Sequence, residues 1–347
     1  MRKIIFSLCS LCVGMLMLHS CSSNDNPTNE PTVRPDTPSV LETDYLSIEN
    51  AVYHEGTFPA ATTSTAISGL SINQRALQGG MNIITVVTDK TYKRFFVGVK
   101  GVPGYWIYTP ESGNATTRAA SSNTYTIPVM YSPELDTNVT MLISGEDENG
   151  DVTEPYEAEI SFVDSESGEL NINLTFSNAK DVDLHLFMPN GEHIFYGARG
   201  GSVQTTDGST VSYGLDHDSN AGCTIDNLNN ENIYIPAELI QPGTYRVVVD
   251  MYSNCDPSSA TSWSIVTRYK GELISTTAGA NPASGVYPVG AGNGDMSTAM
   301  TFTINEGSTT RSAAASRIKA NTFVPVPLSD MDEMKLEEAG YRLKFAK

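Results

Sequence analysis

The run Asp181-Val182-Asp183-Leu184-His185-Leu186 alternates strictly between polar and apolar residues. Along an extended chain successive side chains project to opposite faces, so Val182, Leu184 and Leu186 form one face of a strand and Asp181, Asp183 and His185 the other. The same period recurs on both sides of this run. Upstream, Ile172, Leu174 and Phe176 alternate with Asn171, Asn173 and Thr175; downstream, Tyr245, Val247 and Val249, then Trp263, Ile265 and Thr267, then Met300, Phe302 and Ile304 each share a face. Asn190-Gly191, between residues 184–188 and 194–196, and Pro242-Gly243, before Tyr245, supply turn chemistry. Residues 169–306 therefore read as an antiparallel β-sandwich.

The preceding part of the chain has the same rhythm. Residues 83–87, 95–99, 105–108, 125–131 and 139–143 are short runs rich in β-branched and aromatic side chains, and Ala158, Ile160 and Phe162 share one face of a further strand after the turn Asn149-Gly150. About seven strands across residues 43–165 imply a sandwich of immunoglobulin or fibronectin type. The polar stretch Asp164-Ser165-Glu166-Ser167-Gly168 separates the two modules. The predicted fold class is all-β, with two antiparallel β-sandwich domains. A composition of 39% hydrophobic and 18% charged residues, with 28 Gly and 16 Tyr, fits short strands and many turns and excludes a coiled coil or a multi-span membrane protein. Twenty-one basic against forty acidic residues, a formal charge of −19, repel phosphate backbones and exclude nucleic acid as a partner. Acid clusters suit hard cations such as calcium.

The first twenty residues read as an export signal, with Arg2 and Lys3 ahead of an apolar run at residues 4–18. That run is too short for an ordinary membrane span. It ends in Leu18-His19-Ser20-Cys21, which resembles the lipobox of bacterial lipoproteins, with His19 an unusual residue inside the box. The resemblance implies cleavage before Cys21, acylation of its thiol and new amino group, and a membrane held through acyl chains. Ser22 stands where an inner-membrane retention signal carries Asp, and residues 22–26, with Asp25, resemble the tether that sends Bacteroidetes lipoproteins to the cell surface. The implied location is the outer membrane, at the cell surface. Residues 21–42, with Pro27, Pro31, Pro35 and Pro38, read as a disordered tether. Cys9 and Cys12 leave with the signal, so Cys223 and Cys255 remain, and in an oxidising compartment they are expected to form a disulfide. Closing that loop is worth roughly 4 kcal/mol on the chain-entropy model. Residues 307–347 read as a polar extension, with Ser329 and Asp332 capping a short helix through Ala339.

The ordered set Asp181-Val182-Asp183-Leu184-His185, Pro189-Asn190-Gly191-Glu192, Phe195-Tyr196-Gly197, Leu215-Asp216-His217-Asp218, Glu231-Asn232-Ile233 and Pro242-Gly243-Thr244-Tyr245 resembles the YfaP-like family, whose function is not known. The resemblance covers about residues 170–305 and implies a secreted or envelope β-sandwich without naming a ligand. Many members carry Gly-Pro before Glu-Asn-Ile; this chain carries Asn229-Asn230.

Asp216-x-Asp218-x-Asn220 spaces oxygen ligands two apart, as at the start of a calcium loop. Asp226, and Asp181 with Asp183 from the neighbouring strand, would complete a Ca2+ site. Glycine at the seventh place and Asn227 at the twelfth exclude an EF-hand. The alternative is that these acids cap turns and accept backbone N–H bonds. His185, His193 and His217 lack the spacing of a zinc set. Neither a His-Glu-x-x-His nor a Gly-x-Ser-x-Gly motif is present, and Gly290-Ala291-Gly292-Asn293-Gly294 is not followed by the Lys-Ser/Thr of a phosphate loop. Tyr105, Trp106 and Tyr108, with Tyr252 and Trp263, offer rings either for stacking on sugars or for a core. The function these features predict is a lipid-anchored, non-catalytic binding or adhesion protein for a polysaccharide, an envelope component or a host protein. The alternative is an accessory hydrolase of an envelope system.

Overall fold

The computed structural model describes residues 39–110, 123–305 and 342–343. The signal segment, Cys21, most of the tether and the helix expected after Ser329 lie outside the described residues. The first part carries β1 (Leu46–Ser47), β2 (Ala51–His54), β3 (Leu70–Ser71), β4 (Arg75–Leu77), β5 (Met81–Thr88), β6 (Tyr92–Val99), β7 (Tyr105–Tyr108), β8 (Asn123–Tyr131), β9 (Val139–Asp147) and β10 (Tyr156–Val163). The second carries β11 (Leu170–Phe176), β12 (Asp181–Phe187), β13 (His193–Ile194), β14 (Gly200–Gln204), β15 (Thr210–His217), β16 (Asn230–Ile235), β17 (Gly243–Ser253), β18 (Thr261–Tyr269), β19 (Glu272–Leu273), β20 (Thr276–Gly279), β21 (Ala283–Tyr287) and β22 (Asp295–Ile304). A last strand, β23 (Arg342–Leu343), pairs with the start of β22.

The protein is an all-β sandwich fold. In the first part, the sheet β1-β8-β5-β3 faces the sheet β2-β7-β6-β9-β10-β4. Alternation does what the sequence predicts: Ile84, Val86, Ile127 and Val129 meet Phe95, Val97, Met141 and Ile143 in one apolar core. In the second part, β14-β15-β16-β11-β18-β19, with β21 on β18, faces β13-β12-β17-β22-β20. Ile172, Leu174, Phe176, Ile233 and Ile265 pack there against Leu184, Val247 and Phe302. Named pairings are antiparallel except β10 with β4 and β22 with β23, which are parallel.

The two sandwiches dock face to face. The outer side of β5 and β8 lies on β18, where Met81, Met130 and Val266 form a small apolar contact. Around it the Asn73 side chain donates to the Phe176 carbonyl at 2.9 Å, the Asn229 side chain donates to Asn73 Oδ1 at 2.8 Å, and Arg268 donates to the Gly79 carbonyl at 3.2 Å. This explains why Met81 and Ile83 are buried although Ile84 and Val86 face the core of their own sandwich.

Two expectations are corrected. Leu41, placed in the tether by its polar neighbours, is fully buried in the first core and begins the helical turn Leu41–Tyr45, so the folded part reaches back past residue 43. Tyr105, Trp106 and Tyr108 do not form a stacking platform. Tyr105 and Trp106 are buried, the Trp106 indole N–H donates to the Leu46 carbonyl at 3.1 Å, Tyr105 stacks on His54, and Tyr108 donates to the Thr126 carbonyl. Trp106 lies in the core with Tyr108 packed against it, and Tyr105 packs in a separate small cluster with Phe96 and Val152.

Candidate functional site

On β12 the predicted facing holds: Val182, Leu184 and Leu186 enter the core. The other face carries charge, yet Asp181, Asp183 and His185 are also buried, with Asp183 only 2% exposed. The register of β12 on β17 sets Asp250 opposite Asp183, Val248 opposite His185 and Arg246 opposite Phe187. On its other edge β12 is paired by β13 only at Leu186 and Phe187. Glu231 of β16, which shares a face with the core residues Ile233 and Ile235, reaches the unpaired part of that edge. There its Oε2 accepts the Leu184 N–H at 2.7 Å and its Oε1 accepts the Ser219 N–H at 3.3 Å. A carboxylate thus takes the place of a missing strand.

Asp218 enters from the loop after β15. Oxygens of Asp183, Asp218 and Glu231 lie within 4.8 Å of one another, and a second set, Asp183, His185 and Asp250, meets the same spacing. Asp183 is common to both. Among the described residues no N–H or hydroxyl donor reaches either oxygen of Asp183 or of Asp250, and Asp183 meets only the neighbouring Asp181 carboxyl, with which it can share a proton. Asp181 Oδ2 accepts the Gly222 N–H at 2.8 Å, and Asp218 Oδ2 receives Arg199 Nη1 at 3.4 Å.

Burying so many acids together disfavours their charge. Burial, reinforced by Asp181, Asp250 and Asp218, pushes the Asp183 carboxyl up to about 9. Burial pushes Asp250 up to about 7, and Asp181 up to about 6 against the Gly222 N–H, which favours the anion. Glu231 is driven well above the usual carboxylate range by burial and by Asp183, despite its two N–H donors. Asp218 is raised by burial, with Arg199 opposing. Burial also drives the His185 imidazole well below its ordinary value, so its 3.9 Å approach to Asp250 is not an ion pair at neutral pH. His185 Nδ1 and His193 Nε2 share a hydrogen bond at 2.9 Å. His193 stacks between Phe187 and Phe195, with Arg246 over Phe187, and burial takes its pKa down to about 4.

Of the six residues read as calcium ligands, Asp183 and Asp218 come together in one set of oxygens, Asp181 adjoins Asp183 but is in neither set, and the other three do not join them. Asp216 accepts from the Asn232 side chain at 2.7 Å and from the Glu166 N–H at 2.6 Å. Asn220, at φ 62°, accepts the Asp226 N–H and donates to Lys180 and Asn229. Asp226 accepts from Ser219 Oγ and the Leu228 N–H. These three brace the loop, as Asp and Asn do in turns. The expected disulfide is formed: Cys223 is bonded to Cys255 beyond the end of β17, with Cα atoms 5.7 Å apart, which ties the Asp218 loop to that sheet. Glu231 and Asp250 were not read as site residues. Asp250 had a signal, a lone acid inside the apolar run Val247-Val248-Val249-Asp250-Met251. Glu231 had only its place in a motif.

Comparison with known proteins adds no family. No protein-family model matches the chain, and no curated protein matches it. The chemistry must therefore be argued from the cluster. Its carboxylates sit inside the fold, where they can hold protons or a cation.

Proposed function

We propose that this chain is a lipid-anchored outer-membrane protein, displayed at the cell surface, whose two sandwiches act by binding and not by catalysis. The observation that carries the non-catalytic half is the burial of the ionisable cluster. Asp183 is 2% exposed and His185 and Asp250 are fully buried, so a substrate has no approach to them. A general acid or base must come within hydrogen-bond reach of the proton it moves. The anchor rests on Leu18-His19-Ser20-Cys21, and the Cys223–Cys255 disulfide supports an oxidising compartment. The YfaP-like resemblance of residues 170–305 points to the same setting. The acidic surface, with forty Asp and Glu, favours a neutral or basic polysaccharide, envelope protein or host protein over an anionic ligand.

The test combines location and turnover. Cells fed an alkyne-tagged fatty acid should label the wild-type protein and not Cys21→Ala, and protease added to intact cells should remove it. Electrophoresis through gels containing neutral polysaccharides should show retardation without new reducing ends. Release of reducing ends, or equal labelling of Cys21→Ala, would overturn the corresponding half of the reading.

A further inference from the structure

We propose that Asp183, Asp218 and Glu231 form a binding site for one hard divalent cation of the calcium class, which locks the loop after β15 onto the unpaired edge of β12. This inference stands apart from the lipid anchor and from the identity of any surface ligand.

Two observations carry it. The first is convergence: carboxylate oxygens from a strand of one sheet, a strand of the facing sheet and the loop between β15 and β16 lie within 4.8 Å of one another. Two oxygens each at about 2.4 Å from one Ca2+ can stand no farther apart than that. The second is the state of the neighbours. Asp183 and the fully buried Asp250 have no N–H or hydroxyl donor on any of their four oxygens among the described residues, and the one group that meets Asp183, the Asp181 carboxyl, is another acid. Buried carboxylates are ordinarily hydrogen-bonded, paired with a base or bound to a metal. Arg199, which reaches Asp218 at 3.4 Å, is half-exposed and is shared with the Leu215 and Asp216 carbonyls.

The donor set selects the class of ion. Three carboxylates favour calcium, magnesium or manganese over zinc or copper. Carboxylates from two strands and a loop suit the adaptable shell of calcium better than the rigid octahedron of magnesium. His185 is engaged with His193 through Nδ1, and a site built on Asp183, His185 and Asp250 would instead draw a softer ion. Both sets need Asp183, so the distinction rests on Glu231 and Asp218 against His185. Glu231 is already aimed, because the Leu184 and Ser219 N–H groups fix its orientation and leave lone pairs unused. The cation would cancel the repulsion among these acids and join the strands that hold them.

The experiment uses the full chain in detergent, stripped with EDTA and returned to metal-free buffer. Equilibrium dialysis with elemental analysis should find one Ca2+ per chain, and calcium should raise the melting temperature by several degrees. Asp183→Asn and Asp218→Asn should each weaken binding by on the order of 100-fold, since even a supporting residue of a metal site costs about 10- to 100-fold. Asp218 lies in a loop and its variant is expected to fold even if Asp183→Asn does not. Asp216→Asn, outside the site, should bind as the wild type does. Absence of bound calcium at millimolar concentration overturns the proposal. So does a wild-type affinity in Asp218→Asn, or a preference for Zn2+ that His185→Gln abolishes.

Discussion

The two sandwiches are built on the same alternation but treat buried charge differently. In the first, the polar groups that go inside mostly meet partners. Asn82 donates to the Asn73 carbonyl at 2.8 Å and accepts the Ile83 N–H at 2.8 Å, Tyr131 donates to Met141 Sδ, and Glu146 is held by Arg94 at 2.7 Å. In the second, Asp181, Asp183, Glu231 and Asp250 are buried among one another. A satisfied polar interior is indifferent to cations and nearly so to pH, whereas a cluster of acids is stable only when protons or a cation neutralise it. One fold plan thus yields an inert module and a responsive one.

The largest effect tests the inert side. Trp106→Ala should cost about 3–5 kcal/mol, because a buried ring is lost and the Leu46 carbonyl loses its donor. Hydrogen exchange should rise in peptides of residues 46–163, while calcium affinity is unchanged. If the variant is instead fully stable and loses polysaccharide binding, the rings are a ligand platform and the comparison fails.

Next comes the covalent brace of the responsive side. Cys255→Ser should cost about 2–4 kcal/mol through the freed unfolded chain. Because Cys223 adjoins the Gly222 N–H that binds Asp181, the loop bearing Asp218 should also exchange faster. Calcium titration of the reduced wild type should show the same loss of affinity as the variant; equal affinity with and without reductant would detach the disulfide from the cluster.

These effects show how far the sequence could be read. Strand identity was legible wherever one face is buried and the other wet: Tyr245, Val247 and Val249 lie in the core as their period requires. The proposed ligand set was only partly legible. Asp183 and Asp218 were found because they sit in regular spacings, but spacing cannot tell a carboxylate aimed inward from one that caps its own turn, so Asp216, Asn220 and Asp226 were grouped with them, as was Asp181, which adjoins the set and accepts the Gly222 N–H. Glu231 joins through tertiary structure, by reaching a strand 47 positions away in sequence. Short edge strands such as β3 and β19 have too few residues for a period to show.

A smaller effect reads the protons directly. Asp250 has its folded value raised to about 7 and Asp183 to about 9, above the ordinary carboxylate values near 4. Without cation, the stability they contribute is complete below about pH 4 and is lost as pH rises to those folded values. His185 and His193 act oppositely, since their lowered values cost stability below about pH 6.5. Metal-free melting temperatures should therefore fall from pH 6.5 to 9, and saturating calcium should flatten that slope. Asp250→Asn should stabilise the metal-free protein at pH 8 by about 2 kcal/mol, as removal of a buried charge does. A melting temperature that rises with pH in EDTA would show that the acids are not buried together.

The smallest effect returns to the first sandwich. Glu146 is also a buried acid, but its partner Arg94 is 41% exposed at the side chain and already faces water. Arg94 can be solvated if the pair is broken, and it retains its contact over the Phe96 ring. Glu146→Gln keeps the shape and a hydrogen-bond acceptor while removing the charge. The cost should then be below about 1 kcal/mol, the range of partly exposed ion pairs, and should shrink further in high salt. Urea unfolding of the variant with and without 1 M salt checks this. A loss of several kcal/mol that salt does not reduce would mean the first sandwich also depends on a buried charge, and the contrast between the two modules would then be one of degree.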